Sequence, residues 1–595
     1  MTWKLALIAI ISAVLAYYGY KRWEHAQMVV RIEDYRYSKL AGREKLKKRT
    51  EEMAKTEVIK VTDKIYSAIG YGLANSIMIE TPNGIVIVDT MESLRAAENV
   101  YREFRKITKK PVKAIIYTHN HGDHTHGCEA YLQDSQNQTV EIWAHSTLLS
   151  YVLHNLVVTN VAYFKRAMRQ FGALLPPEVQ ENGGIGIRLD YRHEPVSKKE
   201  RGFVAPNRVF SGESQDIVID GVKFQLIHIP GETTDQIGVW YPEKKAFLCA
   251  DDVYSTFPNL YAIRGTQFRS QLDWIKSVDK MRALRPEFLI PSHTMPVTGA
   301  ERIYDILTVY RDAIQFVHDQ TVRYINKGLH PDEIAAKIQL PQSIRDHPYL
   351  IEFYGTAGWS AKGLFSGYLG WFSGDPAELN PLPPATKAQR IVELAGGVDK
   401  TILAAQNALD SEDPQWALEL ATHVLKLSPD HVSAKEIKIK ALMELANQQT
   451  SSNGYNYYMT SAYEEMGKIT IKPSARSREE FLNLMPLEMT LRLLQVRVRS
   501  ELECSHINKS MAFNFTDINL LIGFHIRNGI LEIRNDILPS TADFSITTTS
   551  QVWRDLVNNK RSRLLVGLFS DDVVITGGLI AVKSVFGCFD FADEN

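Results

Sequence analysis

The chain has 595 residues, too many for one hydrophobic core, so roughly two to four domains are expected. A hydrophobic content of 45% and a charged content of 23% are ordinary for folded soluble protein. The formal net charge of -1 argues against a general nucleic-acid binder, and no nucleic-acid partner is expected. The 4 cysteines lie far apart without CxxC spacing and do not indicate a disulfide scaffold.

Residues 1–24 differ from the rest of the chain. Leu5 to Tyr20 is almost wholly apolar and is flanked by basic residues. This pattern favours an uncleaved signal anchor, while a cleaved signal peptide with a small-residue site at Val14-Leu15-Ala16 remains the alternative. We therefore expect a membrane-associated protein or one in the secretory pathway. The basic residues on the C-terminal flank favour a cytosolic location for the rest of the chain, but the side of the membrane stays open. Residues 25–55 are charged and predict a helical spacer.

From residue 56 to 300, strand-like runs alternate with helical runs, which is typical of a layered α/β domain. Turn residues at Thr81-Pro82-Asn83 and Asp220-Gly221 each predict a hairpin. Leu94 to Ile107 has helical spacing, and Val112 to Tyr117 has the pattern of a buried strand.

Residues 301–470 are predominantly helical, with a long amphipathic stretch from Tyr304 to Ile325. One unit in this region resembles a tetratricopeptide helix, so either a partner surface or an ordinary helical bundle is expected. Residues 446–456 are predicted to be a loop, and residues 471–480 a linker. Short alternating strands return over residues 481–595 and indicate an α+β module without a cluster of titratable residues.

One loop directly after the predicted strand Val112 to Tyr117 is rich in metal-ligand side chains. His119, His121, Asp123 and His124 lie within six residues. Such a loop can direct two side chains toward one metal ion and two toward a second. Imidazole and carboxylate groups suit zinc and its neighbours. A solvated polar loop is the alternative, and further ligands are needed to decide.

Further candidate ligands follow other apolar runs. Glu232 lies on the turn after a strand, Asp251 and Asp252 follow another strand, and His293 follows a third. A sheet scaffold can bring such strand-end side chains together. Their order along the chain therefore favours a two-metal site.

At this point the chain resembles the metallo-β-lactamase superfamily, through its metal loop, its Pro230-Gly231-Glu232-Thr233 turn, Asp251 and His293. Most members carry histidine where this chain has Glu232, and the exchange resembles the alkylsulfatase branch. Six other segments agree with that branch: Asn259–Gly265, Ser292–Pro296, Arg311–Gln315, Phe353–Thr356, Tyr368–Phe372 and Pro381–Pro384.

The resemblance implies an α/β fold, an αββα metallo-β-lactamase sandwich over residues 56–300. An all-α dimerisation domain over residues 301–470 and an α+β sterol-carrier-like domain over residues 481–595 would follow it. It also implies two zinc ions per subunit and a homodimer. One zinc would be bound by His119, His121 and Glu232, the other by Asp123, His124 and His293, with Asp251 bridging them.

The function implied by the resemblance is zinc-dependent hydrolysis of an amphiphilic alkyl sulfate ester that resembles dodecyl sulfate. A metal-bound hydroxide would release alcohol and inorganic sulfate, with Asp123, Asp251 and Arg264 in catalytic roles. Arg264, with its planar guanidinium fork, is expected to hold the sulfate, together with Tyr261 and Trp359. An apolar groove for the alkyl tail is expected to include Trp274 and Phe257.

Two departures from the family bear on the substrate. Glu232 makes the ligand set one positive charge lower than histidine would, so we expect weaker retention of product sulfate. Trp359 stands where relatives often have a histidine that holds sulfate. Two alternatives therefore stay open: a hydrolase of the same fold acting on a phosphoester, thioester or lactone, or a non-catalytic, membrane-anchored lipid-binding protein.

Overall fold

The computed structural model describes residues 10–26, 28, 44–134, 139–153, 160–189, 200–472, 483, 486–557, 560 and 571–590. The chain forms two compact units. The first comprises residues 1–148, 166–196 and 205–471, and the second comprises residues 149–165, 197–204 and 472–595. The predicted linker falls largely outside the described residues, because residues 473–482 are not among them.

The apolar N-terminal segment is described only in part. A helix covers residues 10–26, and its large apolar side chains are exposed, among them Leu15 at 66% and Trp23 at 59%. Among the described residues, no helix is both long enough and apolar enough to cross a membrane. Residues 1–9, where the predicted anchor begins, lie outside the described residues.

Among the described residues, thirteen strands form the two sheets of the first unit. They are β1 (Glu57–Thr62), β2 (Ile65–Ile69), β3 (Ser76–Glu80), β4 (Ile85–Val88), β5 (Val112–Ile116), β6 (Glu141–His145), β7 (Arg208–Phe210), β8 (Ser214–Ile219), β9 (Val222–His228), β10 (Ile237–Tyr241), β11 (Ala246–Ala250), β12 (Phe288–Pro291) and β13 (Val297–Thr298). Both predicted hairpins are confirmed, as β3–β4 and β8–β9.

After the helix over residues 10–26, the described helices up to residue 471 are α1 (Glu44–Met53), α2 (Leu94–Ile107), α3 (Gly122–Thr125), α4 (Cys128–Leu132), α5 (Leu148–Leu153), α6 (Asn160–Gln170), α7 (Gln271–Leu284), α8 (Ala300–Ile325), α9 (Pro331–Lys337), α10 (Gln342–Arg345), α11 (Ala357–Leu369), α12 (Pro384–Leu394), α13 (Val398–Asp410), α14 (Pro414–Leu427), α15 (Val432–Gln448) and α16 (Ser452–Glu465). Short 3-10 helices cover Pro242–Lys244 and Pro376–Glu378. Helix α2 has the bounds predicted from the spacing of its apolar residues.

The two sheets pack face to face with helices outside them, which confirms the predicted αββα layers. The first sheet runs in the order β1 to β7, with β4 to β7 parallel, and the second runs from β13 through β12, β11, β10 and β9 to β8. The core between them joins apolar side chains of both, such as Ile116 and Leu248, which are fully buried. Alternate side chains of each strand point into the space between the two sheets and form this shared core.

The helical region departs from the sequence prediction at one point. Residues 446–456 were predicted to be a loop, but α15 continues to Gln448 and α16 begins at Ser452. The Asn, Ser and Gly residues responsible for the prediction occupy an N-terminal cap, where the Ser451 side chain accepts from Gly454 N. Such residues favour caps as well as loops, so composition alone gave the wrong state.

The second unit is an α+β domain. Its strands are β14 (Asn508–Phe515), β15 (Leu520–Arg527), β16 (Ile530–Arg534), β17 (Phe544–Thr548) and β18 (Val574–Gly577), and its helices are α17 (Leu487–Arg492), a 3-10 turn (Gln495–Arg497), α18 (Leu502–Ser505), α19 (Ser550–Val557) and α20 (Leu579–Phe586). The sheet order is β16-β15-β14-β17-β18. A disulfide joins Cys504 to Cys588, a pairing that the spacing of the cysteines did not predict. Cys128 and Cys249 are buried and take part in no disulfide among the described residues.

Candidate metal centre

Four strand ends bring the candidate ligands together. The loop from His119 to His124 follows β5 and enters the short helix α3, whereas Glu232, Asp251 and His293 follow β9, β11 and β12. All seven predicted ligands therefore lie at strand ends of the two sheets, as the sequence suggested. Three residues beside these strand ends have a strained backbone. Asp89, Ala250 and Thr294 adopt positive φ angles of 60°, 52° and 65°. Backbone strain of this kind concentrates at functional sites.

The donor atoms form two groups within reach of a metal ion. The first contains His119, His121 and Asp251, and the second contains Asp123, His124 and His293, with the donors of each group within 4.8 Å of one another. The Oδ2 atom of Asp251 lies 3.8 Å from His119 Nε2, 3.4 Å from His124 Nε2 and 3.1 Å from His293 Nε2. Asp251 thus lies between the two groups.

Glu232 is close to the first group but has a partner that sequence reasoning missed. Its Oε1 lies 3.9 Å from His121 Nδ1 and 2.9 Å from Arg269 Nη2, and the Glu232 and Arg269 side chains are each 1% exposed. The buried guanidinium offsets the carboxylate charge. The expectation that Glu232 lowers the positive charge of the site therefore omitted Arg269. Only its position five residues beyond Arg264 could have drawn attention to it.

A buried aspartate orients the ligands of the metal loop. Asp89 Oδ2 lies 2.7 Å from His124 Nδ1 and accepts from Thr118 Oγ1 at 2.9 Å and from Ser292 Oγ at 2.7 Å. His119 Nδ1 lies 3.0 Å from Thr118 Oγ1. Because a carboxylate only accepts, His124 carries its proton on Nδ1 and directs the lone pair of Nε2 toward the second donor group.

His293 is oriented by a backbone carbonyl. Its Nδ1 donates to the carbonyl oxygen of Leu73 at 2.8 Å, which leaves Nε2 facing Asp251 and Asp123. Leu73 N in turn donates to Glu92 Oε1 at 3.2 Å. The tautomer of this ligand is thus set by the turn that precedes β3.

Burial and neighbouring charges shift the pKa values of His119 and His124 in opposite directions. Burial, reinforced by His124, lowers the pKa of His119 to about 3. Burial opposes the charging of His124 as well, but Asp251, Asp123 and Asp89 raise its pKa well above the ordinary value. The carboxylates around the second donor group therefore create a local field that favours a cation there.

The donor set fits divalent metal ions. His124 Nε2, Glu232 Oε2 and Asp251 Oδ1 are buried and hydrogen-bond to no described residue. Leaving such atoms unpaired is costly, and a coordinated cation would satisfy all three. Imidazole nitrogens and carboxylate oxygens at bridging distance are the ligands of two-metal hydrolytic sites.

Arg264, the residue predicted to hold the sulfate, lies at the edge of this donor set. Its Nη2 is 3.3 Å from His121 Nε2, and its side chain is nearly buried. Gln170 and Phe171, at the end of α6, support it: Arg264 N donates to Gln170 Oε1 at 2.9 Å, and the guanidinium lies 5.8 Å from the Phe171 ring centroid. Sequence reasoning missed both supports because they lie far away along the chain.

The other predicted substrate contacts lie on or against α11. Trp359 is half-buried in its first turn, and Tyr261 packs against Gly363, one turn further along the same face. Trp274 and Phe257 are fully buried in the core, and Trp274 Nε1 donates to the carbonyl of Asp252 at 3.0 Å. The expectation that these two residues line a tail groove is therefore wrong, because a core side chain offers no surface.

Comparison with known proteins assigns the family. Family models match residues 69–293 as "Metallo-beta-lactamase superfamily", residues 330–467 as "Alkyl sulfatase dimerisation" and residues 475–595 as "Alkyl sulfatase C-terminal". The chain is 36% identical to the linear primary-alkylsulfatase of a Pseudomonas species over 531 residues, which cover 87% of this chain and 98% of that protein. The chain belongs to the alkylsulfatase branch of the metallo-β-lactamase superfamily.

Other alkylsulfatases agree with this assignment. The chain is 29% identical to the alkyl/aryl-sulfatase of Saccharomyces cerevisiae, with 90% of this chain and 83% of that protein covered. It also resembles the crystallised stereoselective inverting sec-alkylsulfatase of a Pseudomonas species, with a TM-score of 0.83 at 25% identity, covering 92% of this chain and 86% of that one. The layered fold with its helical and C-terminal domains is thus that of the alkylsulfatases.

Proposed function

We propose that this alkylsulfatase is a two-zinc hydrolase that cleaves single-chain alkyl sulfate esters into an alcohol and inorganic sulfate. The observation that carries the proposal is the position of Arg264, with its Nη2 3.3 Å from His121 Nε2 at the edge of the donor set. A guanidinium beside a metal pair suits a small oxyanion better than a neutral lactone or thioester carbonyl.

The ligand roles follow the two donor groups, with Glu232 added to the first because its Oε1 lies 3.9 Å from His121 Nδ1. His119, His121 and Glu232 would hold one zinc, Asp123, His124 and His293 the other, and Asp251 would bridge them, in keeping with its distances to three histidines. When bound, such a metal pair supplies Lewis acidity that lowers the pKa of a water molecule toward about 7. Asp89 and the Leu73 carbonyl keep His124 and His293 in the tautomer that binds metal.

The sulfate would be held by Arg264 together with Asn259. Asn259 is fully buried in the same loop, and no described residue hydrogen-bonds its side-chain oxygen or nitrogen. Its amide nitrogen is a donor that could satisfy an oxygen of a tetrahedral anion. Tyr261 and Trp359, along one face of α11, would begin the path of the alkyl tail.

The assembly and the location of the protein are part of the proposal. The match to a dimerisation model over residues 330–467 supports a homodimer. The exposed apolar side chains over residues 10–23 support membrane association through the N-terminal segment. Membrane flotation of the full chain beside a chain that starts at residue 25 tests this, and equal recovery from lipid would contradict it.

The experiment that tests the activity is sulfate release by the purified enzyme from a panel of alkyl sulfates, with and without a chelator. We expect release that the chelator abolishes and that added zinc restores. Bis-p-nitrophenyl phosphate, S-lactoylglutathione and a lactone are assayed in parallel. Faster turnover of any of these than of every alkyl sulfate would contradict the proposed substrate class. Biological activity that survives His121→Ala would support the lipid-binding alternative.

A further inference from the structure

The first turn of α16 presents buried polar side chains to the catalytic domain. Ser452, Asn456 and Asn182 are each fully buried. Ser452 Oγ donates to Asn182 Oδ1 at 2.8 Å, and Asn456 Nδ2 donates to the carbonyl of Asn182 at 3.2 Å. A buried polar group that loses its partner is destabilising, so the two elements hold one another in place.

The loop that this turn holds lies directly behind His293. Asn182 Oδ1 also accepts from Gly184 N at 2.7 Å. A Cβ atom on Gly186 would lie 2.0 Å from the carbonyl oxygen of Leu73, so the loop packs against this peptide without room for a side chain. That carbonyl is the acceptor for His293 Nδ1. A shift of Asn182 would therefore reach His293 through Gly186 and Leu73.

The same turn also holds an aromatic pair beside His293. Ser451 Oγ donates to the carbonyl of Tyr354 at 2.8 Å, and Asn453 Nδ2 donates to it at 3.2 Å. The Tyr354 ring lies edge-on to Tyr254 at 5.8 Å, and the Tyr254 ring lies edge-on to His293 at 6.3 Å. Two independent routes thus connect the first turn of α16 to one metal-ligand histidine.

The last turn of α16 holds the supports of Arg264. Glu464 accepts from Arg169 Nε at 2.6 Å and from Arg169 Nη2 at 3.0 Å, a bidentate pair that fixes the end of α6. The next two residues, Gln170 and Phe171, are the ones that contact Arg264. The end of α16 therefore holds the residue directly before the two that support Arg264.

From these contacts we infer that α16 is a positioning element for the active site, with a separate task at each end. The end at Ser452 fixes the position of the His293 side chain. The end at Glu464 fixes the position of Arg264. The inference rests on the proposed roles of those two residues, in metal binding and sulfate binding. It assigns a catalytic duty to a helix of the segment that matches the dimerisation model.

Matched variants separate the two ends. Ser452→Ala removes the bond to Asn182, and its control Ser461→Ala removes only a bond to the Tyr457 carbonyl within α16. Glu464→Gln weakens the Arg169 pair, and its control Glu465→Gln weakens a pair with Lys438. Arg169→Lys is a second, milder change at the Glu464 end. Metal release to a chelator and sulfate binding by calorimetry are measured on each zinc-loaded protein.

We expect Ser452→Ala to speed metal release by about 10-fold with little change in sulfate affinity, as loss of an outer hydrogen-bond partner does at metal sites. Glu464→Gln and Arg169→Lys should weaken sulfate binding by about 10-fold with unchanged metal release. Both controls should behave like the wild type. The inference fails if the variants match their controls, or if one end shifts both readouts together. Wild-type protein that retains no zinc and binds no sulfate would overturn the proposed function, and this inference with it.

Discussion

The guanidinium of Arg269 lies 2.9 Å from the Glu232 carboxylate, and both side chains are 1% exposed. Arg269→Met would leave Glu232 as a buried, unpaired charge. We expect the metal-free enzyme to lose about 3–5 kcal/mol of unfolding free energy. The loss should be smaller in the zinc-loaded enzyme, because the metal neutralises the carboxylate. Urea unfolding with and without a chelator measures both values.

The double variant Arg269→Met with Glu232→His tests whether the two charges belong together. Histidine is the residue that most of the superfamily carries at this turn, and it needs no cation. The double variant should therefore have a higher unfolding free energy than either single variant. Arg282→Met, which breaks the more exposed pair with Asp279, is the control for a lost surface charge. Additive losses in the double variant would contradict the pairing.

Asp89 is the acceptor that fixes His124, so Asp89→Asn should weaken metal retention without unfolding the domain. The amide keeps the shape but offers His124 Nδ1 a neutral acceptor in place of a carboxylate. Loss of such outer partners costs about 10–100-fold in metal affinity. Competition with a chelating dye measures the affinity. Asp216→Asn, on the exposed edge strand β8, should match the wild type. Equal affinity for the two variants would mean that the tautomer is set elsewhere.

The local pattern of the chain predicts its fold well, because each signal is carried by neighbouring residues. Helix α2 and the hairpins of β3–β4 and β8–β9 have their apolar spacing and turn residues within a few positions. The candidate metal ligands could also be predicted from the sequence, since several histidines and carboxylates that directly follow apolar strands are typical of a metal site.

The supports of the site were not accessible, because they come from distant parts of the chain. Nothing around Arg269 signals that it meets Glu232, and nothing around Gln170 signals that it meets Arg264. The cap at Ser451 was predicted to lie in a loop, because serine, asparagine and glycine favour both environments. Trp274 was assigned to a groove because an aromatic residue in sequence carries no sign of its depth.

Arg264 should be required for sulfate because of its planar fork. Arg264→Lys keeps the charge but cannot make two parallel hydrogen bonds to one anion. We expect kcat/KM for dodecyl sulfate to fall by about 100-fold, while the zinc content stays at the wild-type value. Arg323→Lys, on the exposed face of α8, is the control. A fall in zinc content equal to the fall in activity would assign Arg264 to the metal centre instead.

The resemblance to the alkylsulfatases implies a sulfate-holding histidine at the position of Trp359, so Trp359→His is expected to add a cationic or donating group near the anion. We expect the KM for short alkyl sulfates to fall by a few-fold, since these substrates gain least from contact between the tail and an indole. Steady-state kinetics on hexyl and dodecyl sulfate separates the two effects. Trp416→His changes an exposed tryptophan of α14 and serves as the control. An unchanged ratio of the two KM values would remove Trp359 from the substrate path.

His145 should make the metal-free enzyme sensitive to mild acid. Burial, together with the stacked His228 ring at 4.5 Å, lowers the pKa of His145 to about 4, below its ordinary value of 6.5. The native state thus binds this proton more weakly than the unfolded chain does. Its stabilising effect is complete above pH 6.5 and is lost as the pH falls through 4. We expect His145→Gln to reduce the acid-dependent loss of unfolding free energy by about 1–2 kcal/mol between these limits, after allowance for solvent screening. Urea titrations at several pH values in the presence of a chelator measure the unfolding free energy, and His506→Gln is the exposed control. Parallel curves of unfolding free energy against pH for His145→Gln and the wild type would refute the prediction.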